Sequence, residues 1–282
     1  MTTTAPAPTV EARTDRRSGR SRLRVSPYLV SALIAPALLG LWFWLTETGA
    51  VAPILLPSPE AVWDAVPRVM GARGFSDHVL RTVSEIVLGF ALGGSVGFGL
   101  GLLLGSSLRL RTAYLPLLSA LEAVPTVILA PLLIAWFGFG LDGKVVQAAI
   151  ACFYAVFITT LSGLELAEPE AITLMRSLRA STWQILRKVK VPSALPAIFG
   201  GLYLGATTAI IGGIVSEFVG ADLGLGFLLL RYRSSFDTPA AWVLIFTFLV
   251  IGLVAYGIIW AIERKVVFWR RSEVVRADLD QP

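Results

Sequence analysis

Residues 86–108 read IVLGFALGGSVGFGLGLLLGSSL: 23 consecutive residues without a charge, in which Gly89, Gly93, Gly97, Gly101 and Gly105 stand four apart. About 20 apolar residues in a helix cross the hydrocarbon of a bilayer. A spacing of four keeps the glycines on one slowly drifting helical stripe, where another backbone can come close in lipid. The stretch therefore predicts a transmembrane helix with one face made for close packing. Two uses stay open: a helix that slides past its neighbour during gating, or ordinary helix packing.

Outward from this stretch, uncharged runs recur at residues 28–46, 123–141, 145–164, 191–216 and 238–262, so six spans are predicted. The third is expected to begin nearer Ala113 and to be kinked by Pro125 and Pro131. The fifth repeats the small-residue device with Gly201, Gly205, Ala209 and Gly213. The whole composition agrees: 55% of the 282 residues are hydrophobic and 15% charged, against about 25% charged in a soluble domain. No single aqueous core could bury that much apolar surface, so the fold class is all-α and polytopic, with lipid as solvent. One cysteine, Cys152, excludes an internal disulfide, and one histidine, His78, excludes zinc sites built from several imidazoles. The same scarcity, and the lack of an Asp pair inside two spans, argues against an intramembrane enzyme.

Orientation follows from the basic residues. With a cytoplasmic N-terminus, the inner segments hold Arg13, Arg16, Arg17, Arg20, Arg22, Arg24, Arg109, Arg111, the cluster from Arg176 to Lys190 and the cluster from Arg264 to Arg276. The outer segments keep only Arg68, Arg73, Arg81, Lys144, Arg231 and Arg233 of the 24 Lys and Arg. Positive-inside bias then puts both termini in the cytoplasm. The net charge of +5 is a topology signal and calls for no nucleic-acid partner.

Four segments are expected. Residues 1–26 form a disordered basic cytoplasmic tail, too poor in large apolar side chains to order itself. Residues 27–77 hold the first span and an outer connection, in which 60–70 form an amphipathic helix with Val62, Trp63, Val66 and Val69 toward lipid or protein. Residues 78–264 form the main transmembrane domain, and 265–282 a cytoplasmic C-terminal tail.

The inner loop at 165–191 is patterned as helix. Pro169 can open a helix whose apolar edge is Ile172, Met175 and Leu178, with Arg176 and Arg179 beside it. Ser181 and Gln184 have capping-box spacing, so a second short helix is expected to begin there, after a turn near Ala180, with Ile185, Leu186 and Val189 on one face. The two helices either project from the membrane or lie flat on it.

From Leu178 through Pro192 and on to Gly201, this loop resembles the "EAA loop" of ABC importer permeases, E-A-A-x-x-x-G with an I-x-L-P ending. The ending stands here as Val189, Lys190, Val191, Pro192. Counting back, the E-A-A falls on Thr173, Leu174 and Met175, and the turn glycine on Arg179, which implies a turn without positive φ or a strained one. Residues 122–140, with Pro125, Ala130-Pro131-Leu132-Leu133 and Trp136 through Gly140, resemble the nitrate, sulfonate and taurine permease group. So do Glu217-Phe218 with Gly224-Leu225-Gly226, and Glu263-Arg264 with Trp269. The Glu217 to Ala221 form and Glu85 lean toward the thiamine-precursor and riboflavin subgroup.

The resemblance implies the type I ABC importer architecture in the plasma membrane of a prokaryote, with two permease copies forming the pathway. It implies that the loop helices around Leu174 to Ser181 dock in a groove of a separate ATPase subunit, with Ile172, Met175 and Leu178 as the knob, Arg176 and Arg179 setting the register, and Ala180 and Ser181 among the coupling residues. It also implies an extracytoplasmic binding protein that delivers a small solute. No phosphate-binding G-x-x-x-x-G-K-[ST] stretch exists here, so the chain is expected not to hydrolyse ATP itself; the resemblance implies that it binds no cofactor and that ATP is used by the partner subunit. Glu122, with Pro125, and Glu217 are candidates for the pathway or outer gate; alternatively each carboxyl bonds a neighbouring helix. A rival reading makes Glu122 or Glu217 the proton carrier of a secondary transporter, which leaves the 165–191 loop unexplained.

Overall fold

The computed structural model describes residues 27–269. The expected tail at 1–26, and all of the C-terminal tail beyond Trp269, lie outside the described residues.

At the centre stands α6 (Leu141–Gly163), clasped between α3 (Phe75–Ser106) and α9 (Val191–Val219). The small residues of all three make this possible. A side chain at Gly97 would meet the Phe153 carbonyl at 2.5 Å, and one at Gly101 would meet Thr160 at 2.7 Å. Gly89, Gly93 and Gly105 face Ala148, Ala149 with Cys152, and Leu164 in the same way. On the other flank Gly201 faces Thr159 and Gly212 faces Ala151. Lipid tails are as apolar as leucine, so such contact, rather than exclusion from water, holds membrane helices together.

The remaining elements surround this trio. Helix α1 (Pro27–Glu47) leans on α11 (Thr238–Val266) by stacking Trp42 on Trp242, with ring centroids 5.3 Å apart. Helix α2 (Pro59–Met70) is the expected amphipathic segment, capped by Ser58. Its Val62, Ala65 and Val69 pack on Leu225 and Leu228 of α10 (Leu225–Ser234) and on Val243 and Leu244 of α11, so its apolar face meets protein. Trp63, expected on that face, is 77% exposed, because one residue turns about 100° from Val62, off the 62, 65, 69 stripe.

Two boundaries differ from expectation. Helix α3 begins at Phe75, eleven residues before the uncharged run, and α6 carries Lys144 inside it. A charge by itself marks a span boundary, whereas here Arg81 and Lys144 both pair with Glu85. The third span is broken: α4 (Leu108–Glu122) gives way at residues 123–125 to a 3-10 turn (Thr126–Ile128) and α5 (Leu129–Phe137), bent by 68°. Pro125 forbids continuation by pushing Val124 away from helical geometry. Pro131 produces no kink, since it falls in the first turn of α5, where its missing N–H costs nothing. Among the described residues, four helices are long and apolar enough to cross a membrane, or five spans if the bent pair counts as one.

Candidate functional site

The loop between α6 and α9 folds into a compact module. Pro169 opens α7 (Pro169–Ser177), which ends when the Ala180 N–H reaches the Met175 carbonyl at 3.0 Å and the Arg179 N–H the Arg176 carbonyl at 2.9 Å. This closure needs a left-handed residue, and Arg179 supplies it at φ 57°. Of the two turns open to an arginine there, the strained one is found. Helix α8 (Thr182–Ile185) then starts with a complete capping box: Ser181 Oγ accepts the Gln184 N–H at 3.3 Å, and Gln184 Oε1 accepts the Ser181 N–H at 2.7 Å. A π-turn (Leu186–Lys190) carries the chain into α9 without a break.

The module is anchored on one side and bare on the other. Leu186 is buried with Leu164, Ala194 and Ile198. Lys190 Nζ donates to the Gly105 carbonyl at the end of α3, 3.1 Å away, and Arg111 pairs with Glu165. Outward stand Leu174, Leu178 and Trp183, 62%, 69% and 64% exposed. Ile172 and Met175, expected to share the docking edge with Leu178, are half-buried; Arg176, Arg179 and Ser181 are exposed, and Ala180 is half-buried. Sequence reasoning placed neither Leu174 nor Trp183 on the apolar edge, although Leu174 falls within the range expected to dock. Trp183 carried no signal of its exposure, since a spacing of three puts it on the same side as the buried Leu186, with which it lines one cavity. Chemically, the module is an apolar tip flanked by two guanidiniums on a stiff support, suited to docking protein.

At the other end of α3, α6 and α9 lies a buried polar cluster. Glu217 of α9 accepts the Thr82 hydroxyl of α3 at 2.5 Å and the Gly226 N–H of α10 at 2.5 Å. Thr82 Oγ in turn accepts the Leu225 N–H at 2.8 Å. Glu85 accepts from Arg81 at 2.8 Å and forms an ion pair with Lys144 at 3.3 Å. Both cations thus stand against Glu85, which offsets the several kcal/mol that an uncompensated buried charge costs, while Glu217 is held by neutral donors. Gly224 lies against the Glu217 carboxyl at φ 135°, where no side chain fits, and its N–H donates to His78 Nδ1 at 2.9 Å. Gln147 donates to the Thr126 carbonyl at 2.7 Å and so fastens the broken span to α6.

The three pathway candidates are not gathered in one place. Glu217 is wholly buried in this cluster, while Glu122 and Pro125 are exposed where α4 breaks. Thr82, Arg81, Lys144 and His78 are members that sequence reasoning did not assign. No group of His, Cys, Asp and Glu among the described residues is arranged to hold a metal ion.

A family model described as the binding-protein-dependent transport system inner membrane component matches residues 97–268. The riboflavin transport system permease protein RibX of Chloroflexus aurantiacus is 37% identical over 233 residues, covering 82% of this chain and 87% of that protein. The putative aliphatic sulfonates transport permease protein SsuC of Bacillus subtilis is 28% identical, covering 91% and 92%. Among solved structures, an inward-facing form of the MetNI methionine ABC transporter matches with TM-score 0.61 at 19% identity, over 68% of this chain and 95% of that one. That likeness is one of fold.

Proposed function

Because the chain belongs to the binding-protein-dependent transport system inner membrane components, we propose that it forms the translocation pathway of an ATP-driven importer for a small solute delivered by an extracytoplasmic binding protein. It is a transport subunit rather than an enzyme; ATP hydrolysis belongs to a separate subunit. Family membership leaves no support for a proton-coupled transporter working through Glu122 or Glu217.

One observation carries the mechanism: the capped module at 169–190 presents Leu174, Leu178 and Trp183 to solvent while its other face is locked to the core. In our reading this tip, with Arg176 and Arg179, docks on the ATPase. Two permease copies face each other, and closure of the ATPase pair on ATP draws their modules together. Leu186 and the Lys190 contact with α3 pass that motion into α3, α6 and α9, which switch as a rigid body between inward-open and outward-open states. Six spans are proposed: α1, α3, the α4–α5 pair, α6, α9 and α11. The distribution of Lys and Arg supports cytoplasmic termini, with residues 78–264 as the permease domain and 165–191 as its coupling loop. For the solute, the relative at 37% identity supports a small heterocycle of the riboflavin or thiamine-precursor kind over nitrate, a sulfonate or taurine.

The test is detergent extraction of the tagged chain from its native host and identification of co-purifying proteins by mass. An equimolar P-loop ATPase is expected, with any captured binding protein then screened for its ligand. Leu178→Glu and Trp183→Glu should each lose the ATPase while still inserting. Recovery of the permease alone in two detergents, or full ATPase binding by both variants, overturns the proposal.

A further inference from the structure

Where α2 turns into α3 and α10 turns into α11, a cavity of about 450 Å3 opens beside the core. Its polar wall carries Arg73, His78, Arg231, Tyr232, Ser235 and Asp237. Asp237 is the one carboxylate there, and it is already engaged: Arg68 grips it with both terminal guanidinium nitrogens, at 2.5 and 3.1 Å, and it accepts the Ala240 N–H at 3.2 Å. Arg73 and Arg231 have no ion-pair partner among the described residues. His78 Nδ1 is engaged by the Gly224 backbone, 2.9 Å from its nitrogen and 3.0 Å from its carbonyl oxygen. Phe75 and His78 bring the first turn of α3 to the wall, and the positive end of a helix dipole with it.

The uncommitted charged groups on this wall are therefore cationic. Arg231 alone has a simpler account, since it sits in the last turn of α10, where a cation suits the dipole. That account does not reach Arg73, which lies on the α2–α3 connection and ends no helix. Two guanidiniums converging on one cavity suit a tetrahedral oxyanion, because the planar fork matches adjacent phosphate oxygens. The volume suits a phosphate carrying an organic substituent.

We propose that this cavity binds a phosphate-type oxyanion, either the phosphodiester headgroup of an anionic lipid or a soluble phosphate. Arg73 and Arg231 hold the oxygens, and Arg68 acts as a positioning residue that keeps the charge of Asp237 neutralised at the rim. The assignment is separate from the transport proposal, since it is read by binding to the purified chain without ATPase or binding protein.

Two probes distinguish the sources. In phospholipid-free detergent at constant ionic strength, inorganic phosphate should raise the thermal unfolding midpoint of the full chain. The half-saturating concentration should rise by about tenfold or more in Arg73→Gln/Arg231→Gln, as loss of charge-assisted hydrogen bonds implies. Arg68→Gln leaves the wall intact but frees Asp237, and should weaken phosphate binding in the same direction. In nanodiscs of mixed phosphatidylglycerol and phosphatidylcholine, native mass spectrometry should show phosphatidylglycerol retained by the wild type and lost from the double variant if the source is lipid. Phosphate response without lipid retention assigns a soluble ligand. Equal behaviour of wild type, double variant and Arg68→Gln toward both probes overturns the proposal, even if an acidic partner protein is lost from the variants.

Discussion

Thr82 gives its hydroxyl hydrogen to Glu217 and takes the backbone N–H of Leu225 on the same oxygen, at 2.5 and 2.8 Å. One side chain thereby joins α3, α9 and α10, with Glu217 standing 135 residues further along the chain. All three groups are buried, so none can turn to water if the hydroxyl is removed.

Thr82→Val keeps the shape and deletes the bridge. The unsatisfied Leu225 N–H and weakened Glu217 contact should cost about 1–3 kcal/mol, whereas Thr82→Ser should cost little. Thermal unfolding of the purified variants checks this; equal midpoints for the two would show that the bridge bears no weight.

The glycine stripe makes a sharper prediction because a control lies beside it on the same helix. Gly94 has open space where a side chain would go, while Gly97 meets the Phe153 carbonyl at 2.5 Å and the Phe157 nitrogen at 3.0 Å. Gly97→Ala should destabilise by about 1–3 kcal/mol through overpacking of α3 against α6, and Gly94→Ala should be neutral. Fluorescence-detected size exclusion after a heating series separates them.

Arg179 sits at φ 57°, a conformation that costs a side-chain-bearing residue about 1 kcal/mol relative to glycine. Arg179→Gly should therefore raise the unfolding midpoint, and Arg179→Val should lower it. If Arg179 also contributes to docking, the glycine variant gains stability and loses ATPase affinity together, a divergence that paired melting and pull-down measurements would register.

The Arg68–Asp237 pair gives a pH signature. Arg68 hydrogen-bonds the Asp237 carboxylate and holds it below the usual carboxylate range, with the Ala240 N–H at the start of α11 assisting against partial burial. A depressed value means the stabilisation is full above the unfolded value near 4 and fades as pH falls through the lower folded value. With Arg68 58% exposed, solvent limits the gain to no more than about 1 kcal/mol. The difference in melting midpoint between wild type and Asp237→Asn should be constant from pH 8 to 5 and shrink below 4; a difference that grows on acidification would contradict the pairing.

Local signals were legible in proportion to how local their causes are. The Pro169 start, the Ser181–Gln184 capping box and the helix at 59–70 depend on residues within one turn of each other, and each formed where its spacing indicates. Exposure along α7 was half legible: Leu178 is exposed, yet Ile172 and Met175 are half-buried, and Ile172 turns toward the place where α3 ends and α4 begins. Glu122 and Glu217 looked alike in sequence, each a lone carboxylate beside an apolar run. One is exposed at a helix break and the other is enclosed by Thr82 and Gly226.

Membrane residence, the helical class and the glycine-lined packing face were determined by the sequence alone, since the length of an uncharged run and a spacing of four act through transfer energy and helix geometry without reference to a partner. Tertiary structure decided which charges are boundaries and which are core. Arg81, Glu85 and Lys144 end a span if they stand alone in lipid, and belong inside one when each finds the other. That choice rests on contacts between helices distant in sequence, since the cost of burying an ion is fixed by its neighbours in space.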